Sequence, residues 1–364
     1  MIAPDLKTEA VRLLRELTEA HGVPGAEDAV RRIFCRELKE SGEMSADRLG
    51  SVACAGKGEG PRVLVAGHFD EVGFAVQNIT TKGFLKIVAL GGWWTHTLVA
   101  QRVRILTRGG REILGVVGST PPHFLGEAAR DRVLPLDQLY VDIGAVSRAE
   151  AEAWGVSLGD AVAPDSAFTA MAGEGVYLAK AFDNRCGVAA AIQTMRALAG
   201  ESLPCRLIAA GSVQEEVGCR GSVTLGALTS PDVALVMEGT PADDTPGMNA
   251  AESQGELGQG VQIRLLDPSA IMNRRLVDFV VDTAKAEGIP HQVAVRRSGG
   301  TDAKSLQFTQ QGVPCVVLGT PARYIHSHNS LIQINDYLAA VRLTMAVARR
   351  LDVAAVAGFT DWLA

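Results

Sequence analysis

Arg62-Val63-Leu64-Val65-Ala66-Gly67-His68-Phe69-Asp70 is the stretch on which the fold turns. Its apolar run is short and unbroken, as expected of a buried strand, and it ends in residues that carry chemistry. A period of two places His68 and Asp70 on the same side of the extended chain. If the strand is parallel, its C-terminal end is where open α/β sheets build their sites.

Working outward, Val11, Leu14 and Leu17, then Val30, Ile33, Phe34 and Leu38, recur at helical spacing on either side of His21-Gly22-Val23-Pro24-Gly25. Two helices therefore precede the strand. Alternation resumes near Tyr177 with a strand, a helix over Cys186 to Leu198, and strands over Arg206 to Ala210 and Val233 to Met237. A helix over Asn273 to Ala286, strands over Gln292 to Val295 and Pro314 to Leu318, and a closing helix over Asp336 to Leu351 complete the pattern. The expected class is α/β, with a mixed, mostly parallel sheet flanked by helices. Between Glu71 and Val162 the rhythm shifts to short β-branched segments such as Ile113-Leu114-Gly115-Val116-Val117, which predicts a small β-barrel-like domain (71–162) inserted into a catalytic domain formed by 1–70 and 163–364. Gly239 to Gly260 reads as a long loop beside a site.

The chain has 364 residues, 47% hydrophobic and 21% charged, enough for a sizeable core. A net charge of -6, with no Lys/Arg block, disfavours a nucleic-acid binder that neutralises phosphate. Charged residues interrupt the apolar stretches at the N-terminus and in the Leu338–Phe359 tail, so no secretory signal or membrane span is expected, and a cytoplasmic protein is the default. The six cysteines form no CxxC pair and are expected to be reduced and mostly in the core.

Several residues admit two readings each. His68 is a satisfied structural histidine or a ligand oriented by Asp70. Asp183, between a strand and a helix, is an N-cap or a carboxylate bridging two cations. Glu215 and Glu216 are a solvated acidic turn or a buried pair that needs compensating positive charge. Glu238 ends a strand as a surface residue or as a ligand, and His326 and His328 supply two further imidazoles. What His68, Asp183, Glu216, Glu238 and His326 share is placement, at or just past the C-terminal ends of successive predicted strands. Nitrogen and carboxylate ligands without thiolate suit Zn, Co or Mn, and a paired site lets two ions clamp one water.

The chain resembles the tetrahedral aminopeptidases of the co-catalytic metallopeptidase clan, often named glutamyl aminopeptidases and sometimes mislabelled endoglucanases. The resemblance is carried in order by Gly67 to Phe74 (GHFDEVGF), Leu90 to Trp93 (LGGW), Gly118 to His123 (GSTPPH), Asp142 to Ala145 (DIGA), Lys180 to Arg185 (KAFDNR), Gln214 to Gly218 (QEEVG), Asp244 to Gly247 (DTPG), Gly299 to Ala303 (GGTDA) and Arg323 to Ser327 (RYIHS). It implies that His68, Asp183 and Glu238 hold one divalent ion, and that Asp183 bridges to a second held by Glu216 and His326. It further implies Glu215 as general base, Asp70 as the residue orienting His68, and a cis Asp183–Asn184 peptide. Glu238 stands where many relatives carry Asp. Short peptides are the implied substrates. The inserted domain is implied to drive dimers that assemble into a dodecamer, with His123 and the loop around it reaching a neighbouring subunit's site. From the sequence itself, Trp93 and Trp94 near the surface of a small domain are expected to be buried against a partner. Another di-metal amide hydrolase of the clan, a deacylase or carboxypeptidase, and a metal-free assembly protein are the competing functions.

Overall fold

A computed structural model describes residues 5–127 and 131–363. Two helices, Leu6–Glu19 and Asp28–Leu38, open the chain. The first begins at Asp5, whose side chain accepts the Lys7 amide at 2.7 Å and so satisfies one free N–H of the first turn. Its buried residues, Ala10, Leu13, Leu14 and Leu17, fall at helical spacing and join the main core.

The large sheet contains β1 (Glu43–Ala46), β2 (Val52–Ala55) and β3 (Arg62–His68), followed after an excursion by β10 (Thr169–Ala170), β11 (Val176–Ala179), β12 (Arg206–Ser212) and β13 (Val233–Pro241). It continues with β14 (Val261–Asp267), β15 (Ala270–Ile271), β16 (His291–Val295), β17 (Cys315–Arg323) and β18 (Ser330–Gln333). At its centre β12, β3, β13 and β17 lie side by side and run parallel, while antiparallel strands extend both flanks. The four central strands therefore present their C-terminal ends along one edge.

The helix Phe182–Ala197 crosses this centre and is buried along nearly its whole length. Its Gly187-Val188-Ala189-Ala190-Ala191 stretch allows the close approach. A Cβ on Gly67 of β3 would stand only 2.6 Å from the Gly187 carbonyl carbon, so neither position has room for a side chain there.

The excursion comprises β4 (Gly73–Ile79), β5 (Leu85–Leu90), β6 (Arg102–Leu106), β7 (Glu112–Gly118), β8 (Tyr140–Asp142) and β9 (Ala161–Pro164), which close into an antiparallel barrel. Alternation along β7 sends Ile113, Gly115 and Val117 inward, and Phe74, Leu85, Val103, Ile105, Val141 and Val162 fill the interior with them. Trp93 stacks on Phe74 with ring centroids 4.9 Å apart and donates its indole N–H to the Gly73 carbonyl, so it belongs to the barrel's own packing. Only Trp94 of that pair projects, at 65% exposed.

The expected elements are found with shifted ends: the closing helix runs Ile334–Ala348 and stops short of Leu351, while two central strands run longer. β13 runs on to Pro241 and β17 to Arg323, past the last apolar residue that a hydropathy reading registers. The six cysteines are free, and five of them are buried. Among the described residues no helix is long and apolar enough to cross a membrane.

Candidate active site

The edge formed by the C-terminal ends of β12, β3, β13 and β17 gathers the residues singled out above. His68 closes β3 and Glu238 lies within β13; Glu215 and Glu216 follow β12, and His326 follows β17. Asp183 enters from the start of the crossing helix, where its backbone and that of Asn184 are not helical and the peptide bond between them is cis. Its side chain caps no amide. Instead, Asp183 Oδ1 stands 3.2 Å from His68 Nε2 and Asp183 Oδ2 stands 3.2 Å from His326 Nε2.

Two sets of donors can each embrace a cation: His68, Asp183 and Glu238 on one side, and Asp183, Glu216 and His326 on the other. Glu238 Oε1 lies 3.6 Å from His68 Nε2, and Glu216 Oε1 lies 3.4 Å from His326 Nε2. Glu216 Oε1 and Glu238 Oε2 are buried and accept no hydrogen bond, an arrangement that costs free energy unless a positive charge completes it. Two imidazoles and three carboxylates, without thiolate, suit borderline-hard divalent ions. The residues fit such ions in both chemistry and placement.

Electrostatics carry the same strain. Burial, followed by the Asp183 charge, pushes the Glu216 carboxyl up to about 8, and burial raises Glu238 to about 7. Burial opposes protonation of His326, yet its contact with Asp183 and the charge of Glu216 lift it to about 10. Burial also works against the Asp183 carboxylate, but hydrogen bonds from His326 and His68 hold it well below the usual range. Burial is likewise the main cause of the raised Glu215 carboxyl.

The positioning shell is largely backbone. His68 Nδ1 faces the Asp70 carbonyl oxygen at 3.0 Å, closer than the Asp70 carboxylate at 3.5 Å. That carboxylate accepts the amides of Glu215 and Glu216, each at 3.0 Å. His326 Nδ1 meets the Gly92 carbonyl oxygen at 2.8 Å, in the segment that follows β5 of the barrel. Gly91 beside it has φ +85°, and a Cβ there would press on Val72 and reach within 3.2 Å of Glu216. Ala181, Gln214, Cys219, Tyr324 and His326 are non-glycine residues with φ between 53° and 59°, a conformation that costs of order 1–3 kcal/mol each and tends to gather at functional sites.

Three groups at this edge escape a reading by spacing. Glu27 is buried and accepts the Gln214 amide at 3.2 Å, which fixes the residue before Glu215. Asp302 is buried against the Ser212 hydroxyl, and its only sequence signal is its place in GGTDA. Glu71 accepts Lys180 Nζ at 2.6 and 2.7 Å and Arg185 Nη2 at 3.2 Å, all three side chains being fully enclosed. Arg185 also binds the carbonyls of Leu17, Ala20 and Gly22 and so ties the first helix to the site. His328, buried against Trp93 with ring centroids 5.7 Å apart, joins neither donor set.

Comparison with known proteins agrees with this architecture. The family model described as M42 glutamyl aminopeptidase matches residues 50–343. The glutamyl aminopeptidase of Lactococcus lactis is 35% identical over 354 residues, covering 96% of this chain and 98% of its own. The solved TET aminopeptidase of a marine sediment Thaumarchaeota archaeon superposes with a TM-score of 0.93 at 38% identity, covering 97% of this chain and 100% of its own. The TET1 peptidase of Pyrococcus horikoshii, which can assemble into a tetrahedron or a large octahedral shell, gives a TM-score of 0.84 at 31% identity, covering 94% and 100%. A sheet whose central C-terminal edge collects two donor sets, a barrel folded out of that edge, and a match along most of the chain lead to one assignment: this protein belongs to the M42 glutamyl aminopeptidase family.

Proposed function

We propose that this aminopeptidase removes N-terminal residues from short peptides with two divalent cations, one held by His68, Asp183 and Glu238 and the other by Asp183, Glu216 and His326. The observation that carries the reading is the Asp183 carboxylate, whose two oxygens face two different imidazoles at the same 3.2 Å. When bound, the ions supply Lewis acidity toward the peptide carbonyl and make water a nucleophile near neutral pH.

Glu215 is the general base. It is adjacent in sequence to Glu216 but belongs to neither of these two donor sets, and its Oε2 lies 3.8 Å from His68 Nε2 of the first. It takes a proton from the attacking water and returns it to the departing amine. Asp70 holds the Glu215-Glu216 backbone, and its own carbonyl holds the His68 ring. Glu238 in place of Asp adds one methylene to its ion's ligand. The inserted barrel, residues 71–162, is the element we assign to dimerisation, and through it to a dodecamer. Support comes from the exposed Trp94 and Phe124 on this part of the chain and from the assemblies formed by the Pyrococcus horikoshii relative.

Metal content measured beside a panel of aminoacyl anilides and N-acylated amino acids tests the reading. Two ions per chain with anilide hydrolysis is the expected result. Hydrolysis confined to the acylated set, or undiminished activity after chelation, overturns it.

A further inference from the structure

A third group of donors lies beside the two already described. Glu215, Cys219 and Asp302 bring a carboxylate oxygen, a thiol and a second carboxylate oxygen within 4.8 Å of one another. Cys219 Sγ donates to Glu215 Oε1 at 3.1 Å, and the Cys219 amide donates to the Glu215 carbonyl at 2.8 Å. Asp302 is 1% exposed; one of its oxygens takes the Ser212 hydroxyl, while Oδ1 is buried and accepts nothing. Two carboxylates and a thiol thus share an enclosed space, with His68 Nε2 facing Glu215 Oε2 at 3.8 Å and no side-chain cation in an ion pair with Asp302 among the described residues.

We propose that Glu215, Cys219 and Asp302 form a third cation site, which takes a thiophilic divalent ion supplied in excess, such as zinc or cadmium, and stops the reaction by occupying the general base. The thiol distinguishes this site from the other two donor sets, because sulfur selects soft ions where carboxylate and imidazole do not. Zinc binds sulfur at about 2.3 Å and carboxylate oxygen at about 2.0 Å, so modest side-chain rotations bring the three donors into one shell. On binding, the Cys219 S–H bond breaks, its electron pair forms the sulfur–metal bond and the proton leaves to solvent; no oxidation state changes. Burial, and after it the Glu215 charge, hold the thiol well above its ordinary range, so protons compete and the site strengthens as pH rises.

The inhibitory half rests on Glu215 being the base, whereas the binding half does not. The test titrates the metal-loaded enzyme with cadmium while following cadmium–thiolate charge-transfer absorption and anilide hydrolysis together. Neither of the other donor sets contains sulfur, so displacement of resident ions gives no band. The expected result is a band saturating at one thiolate per chain, with hydrolysis lost in parallel. In Cys219→Ser the band disappears and half-inhibition needs at least tenfold more cadmium, each protein being compared with its own starting rate. In Asp302→Asn the band persists at roughly tenfold weaker binding. Absence of the band, or its survival in Cys219→Ser, overturns the site. A band that saturates while hydrolysis continues overturns the inhibitory half and Glu215 as base, and leaves the cation site standing.

Discussion

Asp70 Oδ1 accepts the backbone N–H of Glu215 at 3.0 Å, so the carboxylate beside one strand end fixes the turn that follows its neighbour. Replacing Asp70 by Asn substitutes a donor for one of the two acceptors that hold Glu215 and Glu216. A roughly 10–100-fold fall in kcat/KM is expected, the range seen when groups that orient metal ligands are removed. Steady-state kinetics with matched metal loading checks it; an unchanged rate removes Asp70 from the machinery.

The adjacent glutamates should fail differently. Glu215→Gln keeps its metal and loses about 100-fold or more in kcat, the scale of a missing general base. Glu216→Gln loses one ion. Metal analysis of the dialysed variants separates the two, and equal metal loss in both would sink the division of roles.

Cation binding should release protons. In the cation-free protein Glu238 titrates near 7, Glu216 near 8 and His326 near 10, so at pH 7 these groups hold protons that ligation must expel. Affinity should rise from pH 6 to pH 9, with release greatest at the acid end. Calorimetry in buffers of different ionisation enthalpy measures the count. For folding of the cation-free protein, the raised His326 pKa gives stability that is complete below its ordinary value near 6.5 and is lost as pH climbs through 10.

The enclosed Glu71-Lys180-Arg185 cluster predicts a graded effect on stability. Lys180→Met leaves Glu71 still paired with Arg185, whereas Glu71→Gln strands two buried cations. Breaking a buried pair costs about 3–5 kcal/mol, so both should lower the unfolding midpoint, Glu71→Gln by more. Denaturant unfolding of the two variants gives the order; the reverse order would show that Arg185 does not depend on Glu71.

The sheet centre was legible because β3, β12, β13 and β17 are apolar runs ending in polar residues, and the site because those ends carry histidines and carboxylates. Antiparallel flanks such as β1 and β18, four residues each with mixed burial, carry no comparable pattern. Nor could spacing reveal what depends on the third dimension. Glu27 and Asp302 are single acids far apart in sequence, and nothing local says that each is enclosed against the turn that holds Glu215. For Trp93 the aromatic character was evident, but its inward stacking on Phe74 was not.

The Gly92 carbonyl that meets His326 Nδ1 belongs to the barrel half of the molecule, and the histidine to the sheet half. Removing the barrel would therefore take away the carbonyl that faces one ring nitrogen and leave the imidazole held from its other side alone, by Asp183 and Glu216. A chimera bearing another insert is then a change at the catalytic edge as well as in the barrel, because the carbonyl facing this imidazole comes with the insert.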